Sequence, residues 1–144
     1  MNRLDLYLHP LESAEKKEVV ISDRFINPDT KEPVKFTIRA VGAAENDALI
    51  RKATIRRPTR SGHEDWFDRL RYRGLLVVAG TADPEFANAE LCAGFGVTDP
   101  VECAKKMLLM GEYVALENAI YDISKLTDPG NPNALDKAEE DAKN

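Results

Sequence analysis

Residues 84–123 read PEFANAELCAGFGVTDPVECAKKMLLMGEYVALENAIYDI, and the expected fold is organised around them. Asp99-Pro100-Val101-Glu102 is a helix start. The aspartate can accept from exposed backbone N–H groups, proline at the first helical position loses nothing by lacking its own, and a glutamate at the third can reach back. Val101, Ala104, Met107 and Leu108 then recur at helical spacing, with Lys105 and Lys106 near the end, where the helix dipole favours cations. Gly111 is expected to stop this helix in a left-handed turn. A second helix carries Tyr113, Leu116, Ile120 and Ile123 at spacings of three, four and three, a narrow apolar seam. Two helices packed on each other about Gly111 follow from this. Core packing within one chain accounts for such a seam, and so does a face turned toward a partner helix. The residues before Asp99 read as a loop of small side chains.

Upstream, residues 18–26 and 34–41 read as a β-hairpin. In the second run Val34, Phe36, Ile38 and Ala40 alternate with polar residues, the period of a half-buried strand. The first run alternates less cleanly. Asn27-Pro28-Asp29-Thr30-Lys31-Glu32-Pro33 between them is rich in turn formers. A lone hairpin is marginal in water, so this one must pack on helices or gain another strand. A helix is expected over 42–55. A basic loop from Arg56 to His63 follows, broken by Pro58 and Gly62, and then a third helix from Glu64 to about Ala82. Its apolar face would hold Trp66, Phe67, Leu70, Val77 and Val78. Gly74 in its middle costs about 1 kcal/mol relative to Ala and suits a neighbour that approaches closely.

The fold class is therefore α+β: an N-terminal β-hairpin packed on a small bundle of about four helices. Residues 1–16 form an arm, 17–125 the domain, and 126–144 a flexible, charged C-terminal tail, expected to be disordered or to become helical only against a partner.

The 144 residues suit one domain, and an apolar content of 43% is enough for a core. The longest apolar run is Leu75–Ala79, too short for a membrane span, and the first residues lack a signal-peptide profile, so a cytoplasmic protein is expected. The net charge of −5 argues against a general nucleic-acid binder. Yet Arg51, Lys52, Arg56, Arg57, Arg60, Arg69, Arg71 and Arg73 crowd one region. They read as a solvated or ion-paired face, with an acidic protein or a nucleic acid as the other candidate contacts. Cys92 and Cys103 make no CxxC and read as small buried residues.

No chemistry-bearing array stands out. His63-Glu64-Asp65 lacks the spacing that puts two metal ligands on one helix face. No phosphate-binding glycine loop and no nucleophile elbow is present. Carboxylates such as Glu139-Glu140 lie in a tail that cannot exclude water, as a general acid requires. The chain is expected not to be an enzyme, with no cofactor and no metal.

Several pieces, in order, resemble the XkdN-like family of phage tail assembly chaperones, found in contractile-tailed phages and phage-derived tail elements. Lys17–Phe25 followed by Val34–Ala40 is similar to the family's opening hairpin. Glu45-Asn46, Leu49 and Lys52-Ala53 are similar to its first helix. Asn88–Leu91, Phe95-Gly96-Val97, Lys106–Leu109 and Gly111-Glu112-Tyr113 resemble its most distinctive part. Met110 stands where the family pattern has proline, and Phe95 where it has tyrosine. The resemblance implies a protein that binds the long helical tape measure protein, keeps it soluble, helps recruit tail tube subunits and leaves the finished particle. A homo-oligomer fits as well. Tyr113, Leu116, Ile120 and Ile123, with Leu91 and Phe95, are the expected partner-binding residues. The alternatives are a nucleic-acid-binding accessory protein using Arg51–Arg73 and a structural tail or baseplate subunit.

Overall fold

The structure is a computed structural model that describes residues 2–11 and 15–126. The described elements run α1 (Arg3–Leu8), β1 (Lys16–Val19), β2 (Phe36–Arg39), α2 (Ala43–Lys52), β3 (Thr54–Thr59), β4 (Gly62–Phe67), α3 (Arg69–Gly80), β5 (Thr81–Asp83), α4 (Ala89–Gly94), α5 (Pro100–Met107) and α6 (Met110–Ile123). This is the expected α+β class, with four helices of eight residues or more. The tail expected to be disordered lies outside the described residues after Leu126.

The opening hairpin is present in altered form. β1 and β2 pair antiparallel, Val19 opposite Phe36, and pairing resumes where Val34 N–H donates to the Phe25 carbonyl at 2.7 Å. Residues 20–25 on one side therefore face only 34 and 35 on the other. The uneven alternation of the first run is this excursion, and it carries Ser22 inward, where it is buried. In β2 the alternation holds: Phe36 and Ile38 are buried, Thr37 and Arg39 half-buried. The third strand is β5, which pairs with β2 and gives the sheet order β1-β2-β5.

Two assignments between residues 56 and 82 are corrected. The basic loop is a second hairpin, β3-β4, closed by Arg60-Ser61 with Gly62 at φ +146°. Pro58 and Gly62 do exclude a helix, but both suit a two-stranded ribbon, whose outer edges need no N–H partner. Accordingly, helix α3 begins only after Asp68, whose carboxylate accepts from Arg71 N–H at 3.0 Å. Trp66 and Phe67 are strand residues, and Leu70 is exposed. The buried face of α3 is Tyr72, Gly74, Leu76, Val77 and Gly80.

That face meets α5 and α6 at glycine. A Cβ on Gly74 would lie 2.3 Å from Val101 Cγ1, and one on Gly80 would lie 2.5 Å from Ile120 Cγ2. Val101 and Ile120 are β-branched and fully packed, so neither can swing aside. The close approach expected at Gly74 is present, and Gly80 repeats it.

A Gly80→Ala variant tests how tight this contact is. Alanine gains up to about 1 kcal/mol in helix propensity, less at a helix end, whereas overpacking costs about 1–3 kcal/mol. The expected outcome is net destabilisation, read as a lower urea midpoint with an unchanged slope.

Candidate partner-binding surface

Helix α6 was expected to present the partner-binding seam, and the structure divides that seam. Leu116 and Ile120 are 0% exposed and sit in the core, so in this fold they offer no surface to a partner. Tyr113 and Ile123 are half-buried at either end and pack against that core. The spacing of three, four and three describes the stripe that faces α3 and the sheet.

Beside it lies a buried carboxylate. Glu117 is 5% exposed and receives both arms of Arg73, Nε to Oε2 at 2.7 Å and Nη2 to Oε1 at 3.0 Å. A buried carboxylate without such a partner is strongly unfavourable. Other arginines are held similarly. Arg71 donates to Asp99 at 2.7 Å, which joins α3 to the first turn of α5 and holds the Asp99 carboxyl below its usual range against the opposing effect of desolvation. Arg39 pairs with Glu45. The arginine-rich region is thus two different things: ion-paired struts on α3, and an exposed set on the β3-β4 hairpin.

The junction between α5 and α6 is also not the one expected. Gly111 is the second residue of α6 and does not adopt a left-handed conformation. The chain turns at Leu108 and Leu109, both in extended conformation. Arg24 supplies what the turn needs. Its guanidinium donates to the Met107 carbonyl at 2.9 Å, at the end of α5, and to both oxygens of Glu112. Glu112 in turn accepts from Leu109 N–H at 2.7 Å, capping α6. Met110 occupies the first helical position of α6, where proline is best tolerated.

This clamp holds two apolar side chains in solvent: Leu109 is 58% exposed and Met110 86%. Met110 shares a concavity of about 340 Å³ with Tyr113, Val114, Leu108 and the cations Arg73 and Lys105. The Tyr113 hydroxyl is buried there without a hydrogen-bond partner among the described residues.

A second concavity lies at the other end of the 84–123 stretch. The segment 89–94, expected as loop, is helix α4, capped by Asn88, whose side chain accepts from Leu91 N–H at 3.0 Å. Gly96, at φ +72°, turns the chain out of it. Leu91 and Phe95 line one open groove of about 670 Å³ with Ala82, Pro84 and the carboxylates of Asp83, Glu85 and Glu90. These two expected contact residues are thus brought together on an accessible surface, apart from Tyr113. Underneath, the Cys92 thiol donates to the Phe86 carbonyl at 3.0 Å, and burial pushes the Cys103 thiol up to about 11. Both cysteines are free and buried. Among the described residues, no group of three His, Cys, Asp or Glu side chains is placed to hold a metal ion, and no helix is long and apolar enough to cross a membrane.

Two measurements separate core from surface. Leu116→Ala should cost about 2–5 kcal/mol, as deletion of a packed leucine does, whereas Met110→Asp should change stability by no more than about 0.5 kcal/mol. Equal losses in denaturant titrations of the two variants would refute the division.

Acid titration reports the clamp. Hydrogen bonds from Arg24, then from Ser22, hold the Glu112 carboxyl at about 2, below its ordinary value near 4.3. A carboxyl lowered on folding stabilises the fold fully above its unfolded value, and this is lost as pH falls toward the folded one. Glu112→Gln should therefore melt lower than the parent at pH 7, with the gap closing between about pH 4.5 and pH 2.

The chain and its fold have counterparts. The family described as phage XkdN-like tail assembly chaperone protein matches residues 4–143. The uncharacterized protein YqbN of Bacillus subtilis is 32% identical over 133 residues, covering 91% of this chain and 85% of its own length. The phage-like element PBSX protein XkdN of the same organism is 28% identical over 133 residues, covering 91% and 86%. The crystal structure of YqbN superposes with a TM-score of 0.65 at 28% identity, over 77% of this chain and 85% of that one.

Proposed function

From the premise that this chain belongs to the phage XkdN-like tail assembly chaperone family, we propose that it binds the tape measure protein and keeps it soluble while the tail tube assembles. The single observation that carries this reading is a pair of surface concavities that hold apolar side chains in their linings. One is built on Leu91 and Phe95, the other on Met110 and Tyr113. Met110, 86% exposed, and Leu109 beside it add continuous apolar area to the rim of the second concavity. Methionine suits such a surface because its unbranched thioether adapts to varied apolar partners.

The physical logic is reversible shielding. A long helical protein with apolar faces aggregates when alone. A small acidic domain that covers those faces keeps it in solution, and its net charge of −5 opposes self-association of the complex. Shallow concavities favour release when tube subunits arrive, because a modest apolar contact loses much of its gain to ordering and lost freedom. In this reading the tail tube protein is the second partner, the site of action is the host cytoplasm, and the finished particle, a contractile tail, does not retain the chain.

Co-expression with the tape measure protein is the test. The parent chain should hold the tape measure in the soluble fraction and co-purify with it. The variant Leu91→Asp, Phe95→Asp, Met110→Asp should lose both while keeping its circular dichroism spectrum. Equal solubility with parent, variant and empty vector would end the proposal. Recovery of the chain from purified tails would favour the structural-subunit reading.

A further inference from the structure

Apart from Phe67 at its base, which packs against the core beside Tyr72, the β3-β4 hairpin stands clear of the core. It projects from the end of α2, tied to the body at its base, where Asp68 N–H donates to the Ala53 carbonyl at 2.8 Å. Its strands are exposed along nearly their whole length. Ile55 and Trp66 are directly opposed, so they share a face, and they are 47% and 39% exposed. Arg57 belongs to the same face and lies over the Trp66 ring at 4.6 Å while paired with Glu64 at 3.2 Å. Arg51, Arg56 and Arg60 have no ion-pair partner among the described residues. Residues 51–67 carry five cations against two carboxylates, a net of +3. A two-stranded ribbon is marginal in water, so an exposed one with an aromatic-aliphatic pair is suited to being covered.

We infer that the hairpin is a docking surface for this chain's own acidic C-terminal segment, with Leu135 set against Ile55 and Trp66 and the carboxylates of Asp136, Glu139, Glu140 and Asp141 set against Arg51, Arg56 and Arg60. Charge complementarity comes first: residues 127–144 hold five carboxylates and two lysines, a net of −3. Reach comes second. Leu126 shares a cavity with Val41, Gly42, Ala43 and Asn46, so the described chain ends beside the start of α2. The hairpin base is one ten-residue helix away, roughly 15 Å, and its tip roughly 20 Å further. Residues 127–135 span up to about 30 Å when extended, enough to bring the carboxylates to the base and along the ribbon. Composition comes third, since Leu135 is the one large apolar residue after Leu126. Attachment through a short segment gives the acidic residues an effective concentration in the millimolar range, so weak contacts suffice. The inference does not depend on the identity of the tail partner.

Trp66 is the chain's one tryptophan, so its fluorescence reads the hairpin directly. The full-length parent is compared with the full-length variant Asp136→Asn, Glu139→Gln, Glu140→Gln, Asp141→Asn. At low salt the parent should show bluer emission and weaker acrylamide quenching than the variant. Raising NaCl to about 0.5 M, where screening acts over only a few ångströms, should bring the parent to the variant's values. The variant should barely respond to salt. Parent values unchanged on hundredfold dilution identify docking within one chain; values that move with dilution assign the hairpin to a second copy and overturn the inference. Identical emission and quenching in parent and variant at low salt overturn it as well. Arg56→Glu with Arg60→Glu, made at exposed positions, should reproduce the variant's quenching.

Discussion

At two points helix α3 lies closer to its neighbours than any side chain would permit. Gly74 admits Val101 of α5 and Gly80 admits Ile120 of α6, each against a backbone position that has no Cβ. The cost is the intrinsic weakness of glycine in a helix, about 1 kcal/mol at an interior site. What it allows is a three-helix contact tight enough to leave Val77, Leu116 and Ile120 without measurable exposure. Much else follows from that approach. With α6 drawn onto α3, its apolar seam is consumed, Glu117 is carried inside, and Arg73 must follow to neutralise it. At the rim of this contact, Leu109 and Met110 remain in solvent.

Charge does the complementary task of fixing the elements that packing leaves free. Arg24, Arg39, Arg71 and Arg73 each join one segment to another through a carboxylate, and three of them, Arg24, Arg39 and Arg73, use the two-pronged geometry that suits arginine. The Arg24 clamp holds the turn that displays Leu109 and Met110. An exposed apolar pair on a rigid corner loses less entropy on binding than one on a loose loop. Along α6 the fold thus sets a locked interior, with Leu116 and Ile120 in it, beside a rim that holds Leu109 and Met110 in solvent.

Much of this was legible in the sequence. The Asp99-Pro100 start, the alternation of β2, the first long helix and the use of Gly74 all rest on local rules, and each is where those rules put it. The family likewise emerged from ordered pieces of sequence, none of them decisive alone. The misreadings share a cause. The end of α5 is set by Arg24, 88 residues from its partner Glu112, and no local pattern carries that pairing. Gly111, the nearest breaker, took its place in the reading. The second hairpin was hidden because Pro58 and Gly62 exclude a helix without saying what replaces it, and its Ile55–Trp66 pair has meaning only across strands. As for the candidate site, the seam showed the correct period but not its direction, since a stripe facing the core and one facing a partner have the same spacing. Leu91 and Phe95, chosen from the resemblance, do line a groove, one that forms only when α4 folds beside Pro84.

Hydrogen–deuterium exchange on the complex with the tape measure protein bears most directly on the central claim that the partner is held on the rim of a closed core. Binding should slow exchange in residues 84–95 and 107–114 while the amides of Leu116 to Ile120 stay as slow as in the free chain. Faster exchange at Leu116 to Ile120 on binding would mean that the domain opens and gives up its core seam, and the account would be contradicted.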